Sequence, residues 1–297
     1  MSDATVFAYA LQSIEGVGRV TAHRLLKHFT TYDDLLAFPR EQVLVRIKGA
    51  PNAERLVQHL FDRLGMERRF NEAQRDLEQL ARRSVLVTAP HDPLWPAGLN
   101  DLSPSERPVL LYSYGDRAVL SRPTLALFAR PPVPGPAYEL AQELAEHLLQ
   151  TGAVPVTGAS HGFDVVFHKL ANLRTPPRPS ALVAACGLGR IPGSLRPVAS
   201  SAVKAGGIIL SSFPLGHGPY EHDDRERALL QAAISRSSVF VDPQPDTPEW
   251  SALLRAVELG RAVFAIDEAG TSFPQGVTLI RTGTDFDAVL RTLQPSS

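Results

Sequence analysis

The stretch Val154-Pro155-Val156-Thr157-Gly158-Ala159-Ser160-His161-Gly162-Phe163-Asp164-Val165-Val166-Phe167-His168 decides how the chain folds. Residues 154–157 form a short β-rich run that stops at a glycine, the mark of a strand. Gly158 and Gly162 frame a turn, and the residues beyond return to helical texture. Such a passage from strand to helix brings backbone amides to the carboxyl edge of a sheet, where open α/β sheets bind ligands.

Working outward, the same alternation repeats. Short β-rich runs lie at 85–88, 124–128, 181–186, 207–212, 238–241 and 262–266. Amphipathic segments separate several of them: 139–150, with Leu140, Leu144 and Leu148 on one face, and 250–259. Strands alternating with helices predict βαβ units and a Rossmann-like, doubly wound, mostly parallel α/β sheet. Residues 5–83 read differently: Leu11, Ile14, Leu25, Leu26 and Phe29 recur at helical spacing, as do Leu56, Leu60, Leu64 and Met66. The expected organisation is therefore an N-terminal helical domain over 1–83 and a Rossmann-like domain over 84–297. The latter opens with an extended lead-in over 84–120, of which 90–108 is rich in proline and aspartate.

Composition excludes several classes. A formal net charge of −1 provides no molecule-wide field for polyanions, so nucleic acid would have to be held by a local patch. The single cysteine, Cys186, excludes an intrachain disulfide and any multi-cysteine metal site. No apolar run approaches the ~20 residues of a membrane span, and no leader pattern opens the chain, so a cytoplasmic protein is expected.

The segment Ile14-Glu15-Gly16-Val17-Gly18-Arg19-Val20-Thr21-Ala22-His23-Arg24-Leu25-Leu26 looks like a helix-hairpin-helix element of the kind found in SAM-like domains. Gly16 and Gly18 permit positive φ and close approach of two helices. The second helix then offers free amides to a DNA phosphate, with Arg19, Arg24 and Lys27 within reach. The alternative is a glycine turn that only packs two helices. A weaker second copy reads Val45-Arg46-Ile47-Lys48-Gly49-Ala50-Pro51.

Three stretches, in order, resemble the DprA/Smf family. In the opening stretch Gly158, Gly162, Asp164 and His168 match the family's Ser-Gly-x-Ala-x-Gly-Ile-Asp with a histidine four residues on. At the end of 122–130 the family's Gly-Ser-Arg keeps only Arg130; Phe128 and Ala129 replace the small residues, and Phe128 is expected to close part of the phosphate cradle. In the third stretch Pro214, Gly216, Arg225 and Arg227 match, Ser212 stands for a glutamate, Glu226 for an asparagine, and Asp223-Asp224 lie where a Phe-Pro is usual. Residues 260–265 resemble the family's Gly-Arg-x-Val-Phe-Ala strand, and no winged helix is expected after Ile280.

The resemblance implies a homodimeric single-stranded-DNA-binding protein that is not an enzyme. It would load a RecA-type recombinase, or modulate its loading, in natural transformation or repair. Arg130 facing Arg225 and Arg227 would grip phosphates bidentately, partly cancelled by Asp223, Asp224 and Glu226. Two other readings stay open: a relative that has lost DNA binding but docks partners, and a nucleotide-processing enzyme using the Gly158–Asp164 turn. Against the enzyme, the PGGxGTxxE signature of cytokinin-activating phosphoribohydrolases is missing. Residues 186–193 space their glycines as GxGxxxG with Pro192 at the helix start, so no dinucleotide cofactor is expected. His161, Asp164 and His168 share one helical face, yet a capping Asp164 and a fold-bonded His168 are expected rather than a metal. His217, His222, Asp223 and Asp224 read as a polar loop.

Overall fold

A computed structural model describes residues 2–131, 133, 135–159 and 163–294. The chain forms two compact units, Met1–Trp95 with Leu102–Tyr112, and Pro96–Asp101 with Ser113–Ser297.

The first unit is built of six helices, α1 (Asp3–Gln12), α2 (Arg19–His28), α3 (Tyr32–Leu36), α4 (Arg40–Arg46), α5 (Ala53–Phe61) and α6 (Arg63–Arg82), followed by strand β1 (Val85–Thr88). Ser2 caps α1 by accepting from the Thr5 amide, and a Thr31/Asp34 capping box starts α3. Leu11, Leu25, Leu26, Phe29 and Leu60 are all at most 2% exposed and form the core expected from the helical periodicity, joined by Phe7, whereas Leu64, named with them, faces outward at 73% exposure.

The boundary differs from the expected residue 83, because much of the lead-in belongs to the helices. Asp92 accepts from Ser2 Oγ at 3.2 Å and Thr5 Oγ1 at 3.1 Å. His91 Nε2 lies 2.7 Å from the Leu26 carbonyl, and His23 Nε2 3.0 Å from that of Arg107. An extended segment with few ladder bonds of its own must find partners elsewhere, and here the helices supply them.

The second unit runs β2 (Leu111–Gly115, entered from the first unit), β3 (Thr124–Ala129), α7 (Gly135–Thr151), β4 (Val154–Gly158), α8 (Phe163–Asn172), β5 (Ala181–Val183), α9 (Arg196–Lys204), β6 (Ile208–Ser211), α10 (Asp223–Ala233), β7 (Ser237–Val241), α11 (Pro248–Glu258), β8 (Ala262–Ile266), β9 (Val277–Leu279) and α12 (Phe286–Arg291). Strands β6-β5-β4-β3-β7-β8-β9 lie side by side in that order, every pair parallel. This is the Rossmann-like sheet that the alternation predicts. The central strands β3, β4 and β7 are buried along their whole length, as strands covered on both faces must be.

Side chains sort by parity along β3. Leu125, Leu127 and Ala129 join α7 and α12 on one face, whereas Ala126 and Phe128 join α10 and α11 on the other. Two strands escaped the sequence reading. β2 lies inside the stretch taken as lead-in, and β9 is a three-residue edge strand too short to show a period.

Candidate functional site

Strand order reverses beside β3: β4, β5 and β6 are laid down on one side and β7, β8 and β9 on the other. Loops leaving β3 and β7 therefore part at the carboxyl edge, the usual ligand position in such sheets. Arg130 stands just past the end of β3 at that edge. It has the same parity as Ala126 and Phe128, so it is directed toward α10 and α11.

There it meets acids rather than open space. Arg130 Nη2 lies 2.7 Å from Asp224 Oδ2, and its Nε lies 3.0 Å from Glu249 Oε2. Arg227 Nη2 is held by the same two carboxylates, 2.8 Å from Asp224 Oδ1 and 2.9 Å from Glu249 Oε1. Two arginines and two carboxylates thus alternate around a closed square. The square is lopsided: the side chains of Arg227 and Glu249 are 5% and 10% exposed, those of Arg130 and Asp224 49% and 34%.

Arg227 is further fixed from below. Its Nη1 donates to Gln231 Oε1 at 2.7 Å, while Gln231 Nε2 donates to the carbonyls of Leu127 on β3 and Val156 on β4 at 2.8 and 3.0 Å. Gly158 ends β4 against this guanidinium. Arg227, expected to grip phosphate opposite Arg130, is instead a buried brace, because α10 turns it inward onto the strand ends. Phe128 also departs from expectation: it is 2% exposed and stacks on Phe240 at 4.3 Å within the core, so it lies beneath the cradle rather than across it.

Arg225 points outward, exposed, with no partner for its guanidinium among the described residues. Before it runs a loop that the sequence presented only as polar. Phe213 stacks on His217 at 4.5 Å and 3°, His217 meets Tyr220 edge-on at 5.1 Å, and Tyr220 stacks on His222 at 5.8 Å and 3°. The outer rungs are open: Tyr220 is 57% exposed, and the His222 side chain 81%. Asp223 organises this ladder. Its carboxylate is fully buried, accepts from the Tyr220 amide at 2.9 Å and sits 3.0 Å from His217 Nε2. Asp223 therefore faces the histidines and does not cancel the arginines; of the acids weighed for that part, Asp224 pairs with both Arg130 and Arg227. Farther along the edge, burial and then the neighbouring Asp267 charge push the Asp242 carboxyl up.

Gly162, His161 and the side chain of Asp164 lie outside the described residues. His168 is described: its Nε2 bonds Thr157 Oγ1 and its Nδ1 lies 2.9 Å from Ser180 Oγ, so both ring nitrogens are used within the fold. Burial pushes its pKa down to about 3. Two of the three glycines of 186–193 are likewise engaged within the fold, the Gly187 amide on the His217 carbonyl and the Gly189 amide on that of Leu215.

In the first unit Gly16 has φ +85° and Gly18 caps α2 with φ −81°. A β-carbon on either would meet open space. Arg19 Nη1 donates to the carbonyls of Ser105 and Glu106 at 3.3 and 3.2 Å. Arg24 Nη1 donates to the Lys48 carbonyl at 3.1 Å, which ties the first glycine hairpin to the second.

Sequence reasoning missed Glu249, Gln231 and Tyr220. Glu249 carried one faint signal, a place in the first turn after the capping Thr247, where a carboxylate is ordinary for helix reasons alone.

The parallel doubly wound sheet, with an aromatic and arginine edge, and the helical unit with its glycine hairpins define a Rossmann-like α/β fold with an N-terminal helical region. Residues 86–284 match the model of the DNA recombination-mediator protein A family, and the chain belongs to that family. A DprA-named protein of Mycobacterium tuberculosis is 26% identical over 257 residues, which span 81% of this chain but only 64% of that protein. The chain thus spans less than two thirds of that relative. The fold is that of DNA processing protein A from Streptococcus pneumoniae, with a TM-score of 0.71 over 97% of this chain and 98% of that one at 17% identity. It is also similar to DNA processing protein A from Helicobacter pylori, whose structure was solved for its single-stranded DNA binding mode. That match has a TM-score of 0.58 over 69% of this chain and 96% of the other, at 18% identity. Among the described residues no helix is long and apolar enough to cross a membrane.

Proposed function

We propose that the chain binds single-stranded DNA along the carboxyl edge of its second unit and serves as a recombination mediator. The observation that carries this reading is the Tyr220–His222 stack, open to solvent one helical turn before the exposed Arg225, whose guanidinium has no partner among the described residues. Aromatic faces accept bases of any sequence, and a neighbouring guanidinium takes the phosphate between them. Arg130 adds a second cation at the carboxyl edge, beside the glycine that ends β4. The Gly16-Val17-Gly18 hairpin with Arg19 is a second, separate contact for the backbone. In this reading the protein is a cytoplasmic homodimer without catalysis or cofactor, and it delivers DNA to a RecA-type recombinase in uptake or repair. The Helicobacter pylori relative, a single-strand binder, supports the DNA part.

The test is binding of oligo-dT by the full chain across a salt series. Arg225→Ala should weaken binding and flatten log K against log salt by ~0.7, the contribution of one phosphate on a single strand. Tyr220→Ala should cost about tenfold with the salt slope unchanged, because stacking is not ionic. A chain that ignores oligo-dT at low salt overturns the reading. The partner-docking alternative would then lead, and one observation already favours it: Glu249 and Asp224 neutralise Arg130 and Arg227.

A further inference from the structure

We infer that Asp224 is a built-in competitor for the binding edge: it occupies the outer corner of Arg130 until a phosphate of the single strand displaces it. This rests on the proposed function and adds how that site is regulated. The square has one half that can open and one that cannot. Glu249 and Arg227 are nearly enclosed, and Arg227 holds Glu249 through Nη2, Gln231 through Nη1 and Asp224 Oδ1 through Nε at 3.0 Å, so Asp224 can release Arg130 from its Oδ2 while its Oδ1 stays on Arg227. Asp224 is different. It is a third exposed, and its Oδ2 takes the Nη2 of an arginine that is itself half exposed, at 2.7 Å.

Nη2 is the Arg130 nitrogen that the exposed Asp224 takes, and it also reaches Glu249 Oε1 at 3.5 Å, while the Nε is committed to Glu249 Oε2 at 3.0 Å. A phosphate oxygen approaching from outside would meet the same donor that Asp224 holds. An exposed carboxylate–arginine pair in water is weak and easily exchanged, whereas the enclosed pair behind it is not. The exchange keeps charge balanced locally, one anion leaving the guanidinium as another arrives. Arg130 stays anchored throughout, because Glu249 holds its Nε in place. The outcome is a site whose affinity is set by competition within the chain.

The experiment is a double-mutant cycle on the full chain with oligo-dT at low and moderate salt. Asp224→Asn should tighten binding about three- to tenfold and steepen the salt slope by ~0.7, as one more phosphate is neutralised. In an Arg130→Ala background the same substitution should change nothing. If Arg130→Ala weakens binding but Asp224→Asn leaves it unaltered, the competitor is overturned while the DNA reading stands. If neither Arg130→Ala nor Arg225→Ala affects binding, both fall together. A second measurement needs no variant of the acid: in the wild-type chain, oligo-dT should shift the NMR guanidinium signal of Arg130 and leave that of Arg227 in place. An unmoved Arg130 signal in saturated complex overturns the exchange even if Asp224→Asn fails to fold.

Discussion

Gly158 and Arg227 are in such close contact that a β-carbon on Gly158 would stand 2.7 Å from Arg227 Nη1 and 3.2 Å from its Cδ. The glycine at the end of β4 is therefore the seat of a buried arginine. Because Arg227 is pinned by Asp224, Glu249 and Gln231, it has no room to retreat.

Gly158→Ala should accordingly destabilise the fold by about 1–3 kcal/mol, the usual penalty for overpacking a close-packed site. Chemical denaturation of purified protein measures it. A neutral Gly158→Ala would show that Arg227 moves freely and that the brace is not rigid.

Removing the two acids of the square should have unequal effects on stability. Glu249→Ala leaves buried Arg227 short of a partner and should cost about 2 kcal/mol or more. Asp224→Asn keeps an amide oxygen for Arg227 at a corner that is a third exposed and should change melting little. Equal losses in thermal melts would contradict the division into an enclosed half and an open half.

His168 should make stability depend on pH. In the unfolded chain an imidazole titrates near 6.5, whereas burial holds the folded one down to about 3. Above pH ~6.5 both states are neutral and the full contribution is present. As pH falls toward 3, the unfolded chain takes up a proton that the folded chain refuses, so stability declines. Each unit of that interval is worth up to about 1.4 kcal/mol. His168→Gln should flatten this limb of a denaturation series; an unchanged limb would assign the pH dependence to other groups.

The two hairpin glycines should separate packing from contact. Gly16 has φ +85°, a conformation that valine resists, so Gly16→Val should lose roughly 1–3 kcal/mol of stability. Gly18 has φ −81° and open space around it, so Gly18→Val should melt near wild type. If the α2 amides hold a phosphate, Gly18→Val should nonetheless weaken oligo-dT binding. Full affinity in a folded Gly18→Val protein would leave the hairpin a packing device.

The sequence was strongest where the physics is local. Short β-rich runs marked β3, β4, β7 and β8, and Gly158 marked the end of β4. It was weaker at β2 and β9, where a proline-rich lead-in and a three-residue edge strand leave no period to read. The unit boundary failed for a related reason: Asp92 and His91 look like loop residues until Ser2, Thr5 and the Leu26 carbonyl come within bonding distance.

Family and fold were determined by the sequence alone, since β-rich runs alternating with helices and the matched motif positions, Arg130, Arg225 and Arg227 among them, are properties of the chain read in order. Which of those arginines is free was decided only by tertiary structure. Arg225 and Arg227 are two residues apart on α10, and a helix turns about 100° per residue, so one faces water and the other the strand ends. Glu249 comes 119 residues after Arg130 yet bonds its Nε. No local pattern links those positions, because what joins them is the packing of α11 beside β3 and α10.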